Sequence, residues 1–203
     1  LVLAMDRFTR ILEIDEDNLV ARVEPGVITA DLQEAVEARG LFYPPDPASI
    51  HISTLGGNVA ECAGGLRAVK YGVTRDYVLG LEAVLPTGEV IRTGVATAKG
   101  VVGYDLTRLL VGSEGTLAVI TEIVLRLIPL PEAKRTMLAF FEDLGVAVRA
   151  VSTLFRSRVV PTTLEFLDRV CIACVQGDMG IDVPEGAEAM LRIEEEGDEE
   201  LVR

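Results

Sequence analysis

The sequence predicts an α+β fold: a mixed, largely antiparallel sheet flanked by helices, followed by the start of a second α+β region. Three observations carry that prediction. Residues 77–94, YVLGLEAVLPTGEVIRTG, place two strand-forming runs (77–85 and 89–93) around Pro86-Thr87-Gly88, the pattern of a hairpin. Residues 117–128, LAVITEIVLRLI, are largely apolar on both alternating faces, which predicts a strand in the middle of a sheet and covered on both sides. Pro129 and Pro131 then mark a junction near 130–135, beyond which strands and helices alternate.

The elements follow in order. Residues 1–5, 11–15 and 19–24 are rich in Val, Leu and Ile and read as short strands, with a polar turn at 15–18 between the second and third. Pro25-Gly26 breaks the pattern. A helix is predicted over about 30–39, with Thr29 as N-cap, Asp31 in the first turn, Leu32, Ala35 and Val36 as the apolar stripe, and Gly40 at its end. Residues 43–51, YPPDPASIH, cannot be regular, because Pro44, Pro45 and Pro47 forbid both helix and central strand. A short helix over 105–110 is capped by Asp105, and GSEGT (112–116) turns the chain into the long strand. After the junction come a strand (135–141), a helix (143–156), a strand (162–166), a helix (167–176), a loop at 180–184 and a final strand (188–194).

Composition narrows the function classes. The 203 residues carry 32 acidic and 19 basic side chains, a net charge of −13, which argues against a nucleic-acid binder because phosphate binding needs concentrated positive charge. No apolar run reaches the length of a membrane helix. The opening LVLAMDRFTR is too short and lacks the basic leader of a signal peptide, so the expected compartment is cytoplasmic. The chain starts at Leu1 inside an apparent strand and reads as an internal fragment. Three cysteines give no even disulfide framework. Cys171 and Cys174 form a CxxC, but no second ligand pair or βαβ start accompanies it. Both fall on one stripe of a predicted helix, which favours buried packing. A single histidine, His51, excludes a multi-histidine metal site within the chain, and no metal ligand or catalytic residue is assigned.

The motifs of common enzyme classes are missing. There is no GxxxxGK[ST], no GxGxxG between strand and helix, and no GxSxG. What remains is a set of glycine and hydroxyl segments: PPDPAS (44–49), STLGGNVAECAGG (53–65), KYG (70–72) and GSEGT (112–116). Glycines in turns free backbone N–H groups, which can form an anion-binding concavity without basic side chains. Asn58 and Thr54 can add directional hydrogen bonds. On composition alone, such a cradle and ordinary turns remain equal alternatives.

The run YPPDPASIHISTLGGNVAECAGGLRAVKYGVTRDYVLGLEAVLPTGEV, followed by GYDLTRLLVGSEGTLAVITEIVLRLIPLP, resembles the FAD-binding domain of the PCMH-type (vanillyl-alcohol oxidase) flavoproteins. Within these it is most similar to the group of glycolate oxidase D subunits, D-lactate dehydrogenases and D-2-hydroxyglutarate dehydrogenases. TTLEFLDR (162–169) resembles the start of that group's C-terminal substrate domain. The resemblance implies that residues 1–130 form the second FAD subdomain, the first preceding Leu1, and that 131–203 begin the substrate domain, whose metal and base residues follow Arg203. It implies FAD as cofactor and hydride transfer from a small D-2-hydroxy acid. Pro44 and Asp46 would sit beside the flavin, with Ser53 and Thr54 near its ring. Gly56, Gly57, Asn58, Ala60, Gly64 and Gly65 would let backbone approach the isoalloxazine and pyrophosphate, and Val119 and Ile120 would offer backbone groups to the adenine end. An iron–sulfur subunit or a quinone is the implied electron acceptor, and a homodimer is compatible. Cys62 departs from the Asn usual in the family's ENAGG.

Simpler roles are open to several of these residues. Asn58 suits a helix cap, Asp46 an Asx turn, and Arg67 and Lys70 ordinary surface charges. Glu114 suits turn stabilisation, and His51 a loop. A non-catalytic interaction module, or a flavoprotein of the same fold acting on another alcohol, are the alternative functions.

Overall fold

In the computed structural model, which describes residues 3–97, 99–200 and 202, the chain divides into two compact units. Leu1–Gly65 with Gly72–Leu130 form the first; Leu66–Tyr71 with Pro131–Arg203 form the second.

The first unit holds β1 (Ile11–Asp15), β2 (Val20–Val23), α1 (Thr29–Glu37), β3 (Leu41–Phe42) and α2 (Leu55–Glu61). After the segment assigned to the second unit, it continues with β4 (Val78–Val84), β5 (Val90–Gly94), α4 (Leu106–Leu110), β6 (Val119–Arg126) and β7 (Ile128–Pro129). Five strands form an antiparallel sheet in the order β1-β2-β6-β4-β5, and β3 pairs with β7 in a separate two-stranded ladder. The predicted hairpin is β4–β5, and the long strand is the central one.

Only one face of β6 matches the expectation of full cover. Ile123 and Leu125 are fully buried, with Val23, Leu81 and Ala83 also in the core, whereas Glu122, Val124 and Arg126 are half-buried. That second face carries ion pairs, Arg22 to Glu122 at 2.8 Å and Arg92 to Glu82 at 2.8 Å. Apolar alternation could not reveal that the neighbouring strands supply charges there.

Two local expectations near the start of the chain are corrected. Of the strand expected over residues 1–5, residues 3–5 have no strand pairing, and residues 1 and 2 lie outside the described residues. The reason is a turn in which Phe8 N donates to Met5 O (3.0 Å) and Gly26 N donates to Phe8 O (2.6 Å). A side chain at Gly26 would lie 2.6 Å from Met5 O, so the glycine admits this segment across it.

The second correction concerns Thr29, which is the first residue of α1 rather than its cap. The N-cap is Ile28, with no side-chain bond, and tertiary carbonyls take over the capping role. Thr29 N donates to Ser53 O (3.0 Å) and Ala30 N to Ile50 O (3.1 Å). α4 does begin as expected, with the Asp105 carboxylate accepting from Arg108 N at 2.9 Å.

The second unit holds α3 (Ala68–Tyr71), β8 (Ala133–Phe141), α5 (Leu144–Arg156), β9 (Thr163–Asp168), α6 (Arg169–Met179) and β10 (Ala189–Gly197). Its sheet is antiparallel, in the order β8-β10-β9. Lys70 is no idle surface charge. Its ammonium donates to Thr162 Oγ1 (3.2 Å), Glu195 Oε1 (2.8 Å) and Glu196 O (2.6 Å).

Cys171 and Cys174 are both exposed, contrary to the expectation of buried packing. The buried residue of that turn is Ile172, between them, and α6 has too weak an apolar stripe for sequence to fix which side faces inward. Asp168 caps α6 by accepting from Cys171 N at 2.8 Å, and its hydrogen bond to the Cys171 thiol pushes that thiol up.

Glu194 on β10 is buried. Burial works to raise its carboxyl, but Lys134 at 2.7 Å and the guanidinium of Arg192 outweigh this and hold it below the usual carboxylate range. A depressed carboxyl contributes stability that is present above its unfolded value and lost as pH falls through the folded one. Melting temperature against pH is therefore expected to fall on the acid side, and Glu194→Gln to flatten that fall while lowering stability at neutral pH. An unchanged acid limb in the variant would refute the assignment.

Candidate functional site

Residues 53–65 form α2 and its two ends. Every N–H in the first turn of α2 is already committed. Leu55 N donates to Val27 O (2.8 Å), Gly56 N to Pro25 O (2.7 Å), Gly57 N to Thr54 Oγ1 (3.2 Å) and Asn58 N to Thr54 O (2.9 Å). Thr54, not Asn58, is therefore the cap, and this end of the helix has no donor left for an anion. Gly56 has a packing cause as well: a Cβ there would lie 2.5 Å from Pro25 Cβ.

Asn58 is buried inside the helix, where its amide donates to Thr29 Oγ1 at 2.7 Å. Thr29 Oγ1 in turn donates to Ser53 O at 3.0 Å and lies 3.1 Å from Ser53 Oγ. This chain of bonds fixes Ser53 and the start of α2 against α1. Sequence reasoning missed the part played by Thr29 and Pro25, since no local pattern links them to residues 53–58.

At the other end, Cys62 takes the left-handed conformation (φ 53°) and Ala63 N returns to Asn58 O at 2.8 Å. The GSEGT turn crosses this end: Gly112 N donates to Val59 O (2.9 Å) and Glu114 N to Ala60 O (3.0 Å). Glu114 itself has φ 52°, so it shapes the turn through its backbone. Two of the last carbonyls of α2 are thus met by residues 112–114.

Beyond Cys62 the backbone is less committed. Gly64 is exposed and Gly65 half-buried, and among the described residues neither N–H makes a hydrogen bond. Gly65 is pressed against the proline-rich segment: a Cβ there would lie 2.2 Å from Asp46 O and 2.3 Å from Asp46 Oδ1. Gly64 has room apart from a methyl of Val73, 3.3 Å from the position of a Cβ.

The expected site residues thus divide. Asp46 meets Gly65, while Ser53, Thr54 and Asn58 meet around Thr29 and Gly57. Gly57 and Gly64 are exposed; Ser53, Thr54, Gly56, Ala60, Gly65 and Asp46 are half-buried; Pro44 and Asn58 are buried. Val119 and Ile120 are half-buried at the start of β6, opposite Val84 and Ala83 of β4, and no hydrogen bond among the described residues ties them to α2. Next to the proline segment, Tyr43 is fully buried, with its ring edge-on to Tyr77 at 6.0 Å, and burial raises its phenol so that it stays neutral. Among the described residues no group of His, Cys, Asp and Glu could hold a metal ion, and no helix is long and apolar enough to cross a membrane.

Comparison with known proteins gives two family matches: "FAD binding domain" over residues 1–94 and "FAD linked oxidases, C-terminal domain" over residues 130–203. The chain is 54% identical to the glycolate oxidase subunit GlcD of Bacillus subtilis over 202 residues, 100% of this chain and 43% of that protein. It is 40% identical to a D-lactate dehydrogenase of Anaerostipes hadrus over 182 residues, 90% of this chain and 38% of that protein. A solved alkyldihydroxyacetonephosphate synthase superposes with a TM-score of 0.80 at 26% identity, covering 98% of this chain and 38% of that one. The chain therefore spans about two fifths of the length of these relatives.

Proposed function

This chain belongs to the FAD-linked oxidoreductases with a PCMH-type FAD-binding domain, and we propose that it serves the oxidation of a D-2-hydroxy acid of the glycolate or D-lactate type to the 2-oxo acid. The observation that carries this reading is the pair of uncommitted backbone donors at Gly64 and Gly65, with Gly64 exposed and without a Cβ to hold a ligand off. When bound, FAD supplies the acceptor, N5, for the hydride from C2 of the substrate.

The chain's own residues have binding and orienting roles. Gly64 and Gly65 offer N–H groups to the pyrophosphate. Thr54 still has its hydroxyl proton to donate, since the bond from Gly57 N uses it as an acceptor. Ser53 is oriented through Thr29, and Asp46 with Pro44 stiffens the flank beside the flavin. Gly56, Gly57, Asn58 and Ala60 shape the helix beneath, and Val119 and Ile120 serve the adenine end. Residues 1–130 act as the second FAD subdomain and 131–203 as the start of the substrate domain.

Electron transfer onward to an iron–sulfur subunit or a quinone, in a cytoplasmic homodimer, completes the proposal. The word "subunit" in the GlcD relative's name supports a partner chain, and three free cysteines support the compartment. Anaerobic addition of substrate to the encoded polypeptide tests the reading. Glycolate or D-lactate is expected to bleach the flavin absorbance and L-lactate to leave it unchanged; bleaching by neither glycolate nor D-lactate would overturn the substrate class.

A further inference from the structure

A recess of about 450 Å³ lies in the first unit and is lined by none of the residues assigned to FAD. Three guanidiniums, of Arg75, Arg108 and Arg126, line it. Arg108 is already balanced, by Asp76 at 3.8 Å and Asp105 at 3.5 Å. Arg75 and Arg126 pair with no carboxylate among the described residues. Arg75 donates one bond, from Nη2 to Val111 O at 3.1 Å, and the Arg126 guanidinium lies over the Tyr77 ring at 5.0 Å from its centroid. The Nε of each is buried without an acceptor.

Two half-buried guanidiniums without an ion-pair partner are costly, because desolvation is not offset by a nearby carboxylate. Asp76 and Asp105, the partners of Arg108, also line the recess, as do Val78, Leu79, Val95 and Val102, so a largely polar wall offers cationic forks at one part and a smaller apolar area at another. Its volume is within the range of small-molecule sites.

We propose that this recess binds a small organic anion, its carboxylate held by Arg75 and Arg126 and its short carbon body lying against the valines. Guanidiniums suit this because their planar N–H forks match a carboxylate, while the valines give the carbon body a contact that a bare inorganic oxyanion lacks. The inference goes beyond the flavin reading and does not depend on it.

Fluorine NMR of trifluorobutyrate added to the encoded polypeptide is the test, because it needs no turnover and no flavin signal. Saturable broadening is expected with trifluorobutyrate and none with trifluorobutanol. Arg75→Gln and Arg126→Gln should each weaken binding by about tenfold or more, the size expected for a lost charge-assisted hydrogen bond. Arg149→Gln, in the second unit, should leave it unchanged. Where a glutamine variant fails to fold by circular dichroism, Arg75→Lys and Arg126→Lys keep the charge without the fork and should give weaker but saturable binding. Absence of saturable binding, wild-type affinity in both arginine variants, or equally tight competition by inorganic phosphate would each overturn the proposal.

Discussion

Gly65→Ala is expected to destabilise the first unit by about 3 kcal/mol and to strip the protein of FAD, because the overpacking it introduces is against backbone. The added Cβ would lie 2.2 Å from Asp46 O and 2.4 Å from Asp46 C, so no rotamer change relieves it. Either the proline-rich segment or residues 63–65 must move, and both belong to the proposed flavin wall. Gly177→Ala in α6 is the matched control, since a Cβ there meets nothing within 4 Å and alanine is the better helix former. Thermal melts with flavin content measured in parallel check the pair. A Gly65→Ala protein as stable and as yellow as wild type would show that the approach to Asp46 has no structural weight.

Asn58→Ala carries the second large effect, a loss of about 2–3 kcal/mol, combining a buried hydrogen bond with the cavity left by the amide. Asn58 is 3% exposed and Thr29 0% exposed, so water cannot replace the lost donor. The consequence for the site is indirect: the Thr29 hydroxyl keeps its bonds to Ser53 but loses the donor that orients it, so the start of α2 is held less firmly and FAD affinity should drop along with stability. Denaturant unfolding checks the first part and FAD titration the second. An affinity loss with no change in stability would instead make Asn58 a direct ligand.

Much of the fold was legible in the sequence because its signals are local. The β4–β5 hairpin follows from Pro86-Thr87-Gly88, the central place of β6 from its apolar length, and α4 from the cap at Asp105. What sequence could not supply is which neighbour satisfies each group. Thr29 has the composition of a cap, yet Ser53 and Ile50 cap α1 through their carbonyls. Gly56-Gly57 has the composition of an anion cradle, yet its donors are consumed by Pro25 and Thr54. The two glycine pairs look alike in sequence and differ in role: the first lets α2 pack, and the second leaves free donors. Cys171 and Cys174 were misread for a similar reason, since one helical turn with weak amphipathicity does not declare its buried side.

Whether the second glycine pair is the flavin wall is decided by the flavin content of Gly64→Val. Gly64 is exposed, its Cβ would meet only a movable methyl of Val73, and its backbone needs no left-handed conformation. The variant should therefore fold with a melting temperature close to wild type, while its side chain blocks the approach to the Gly64 and Gly65 donors. The expected result is a folded protein whose FAD absorbance is lost and whose FAD affinity falls by about tenfold or more, the scale of a charge-assisted contact. A folded Gly64→Val protein that retains FAD at the wild-type level would contradict the assignment.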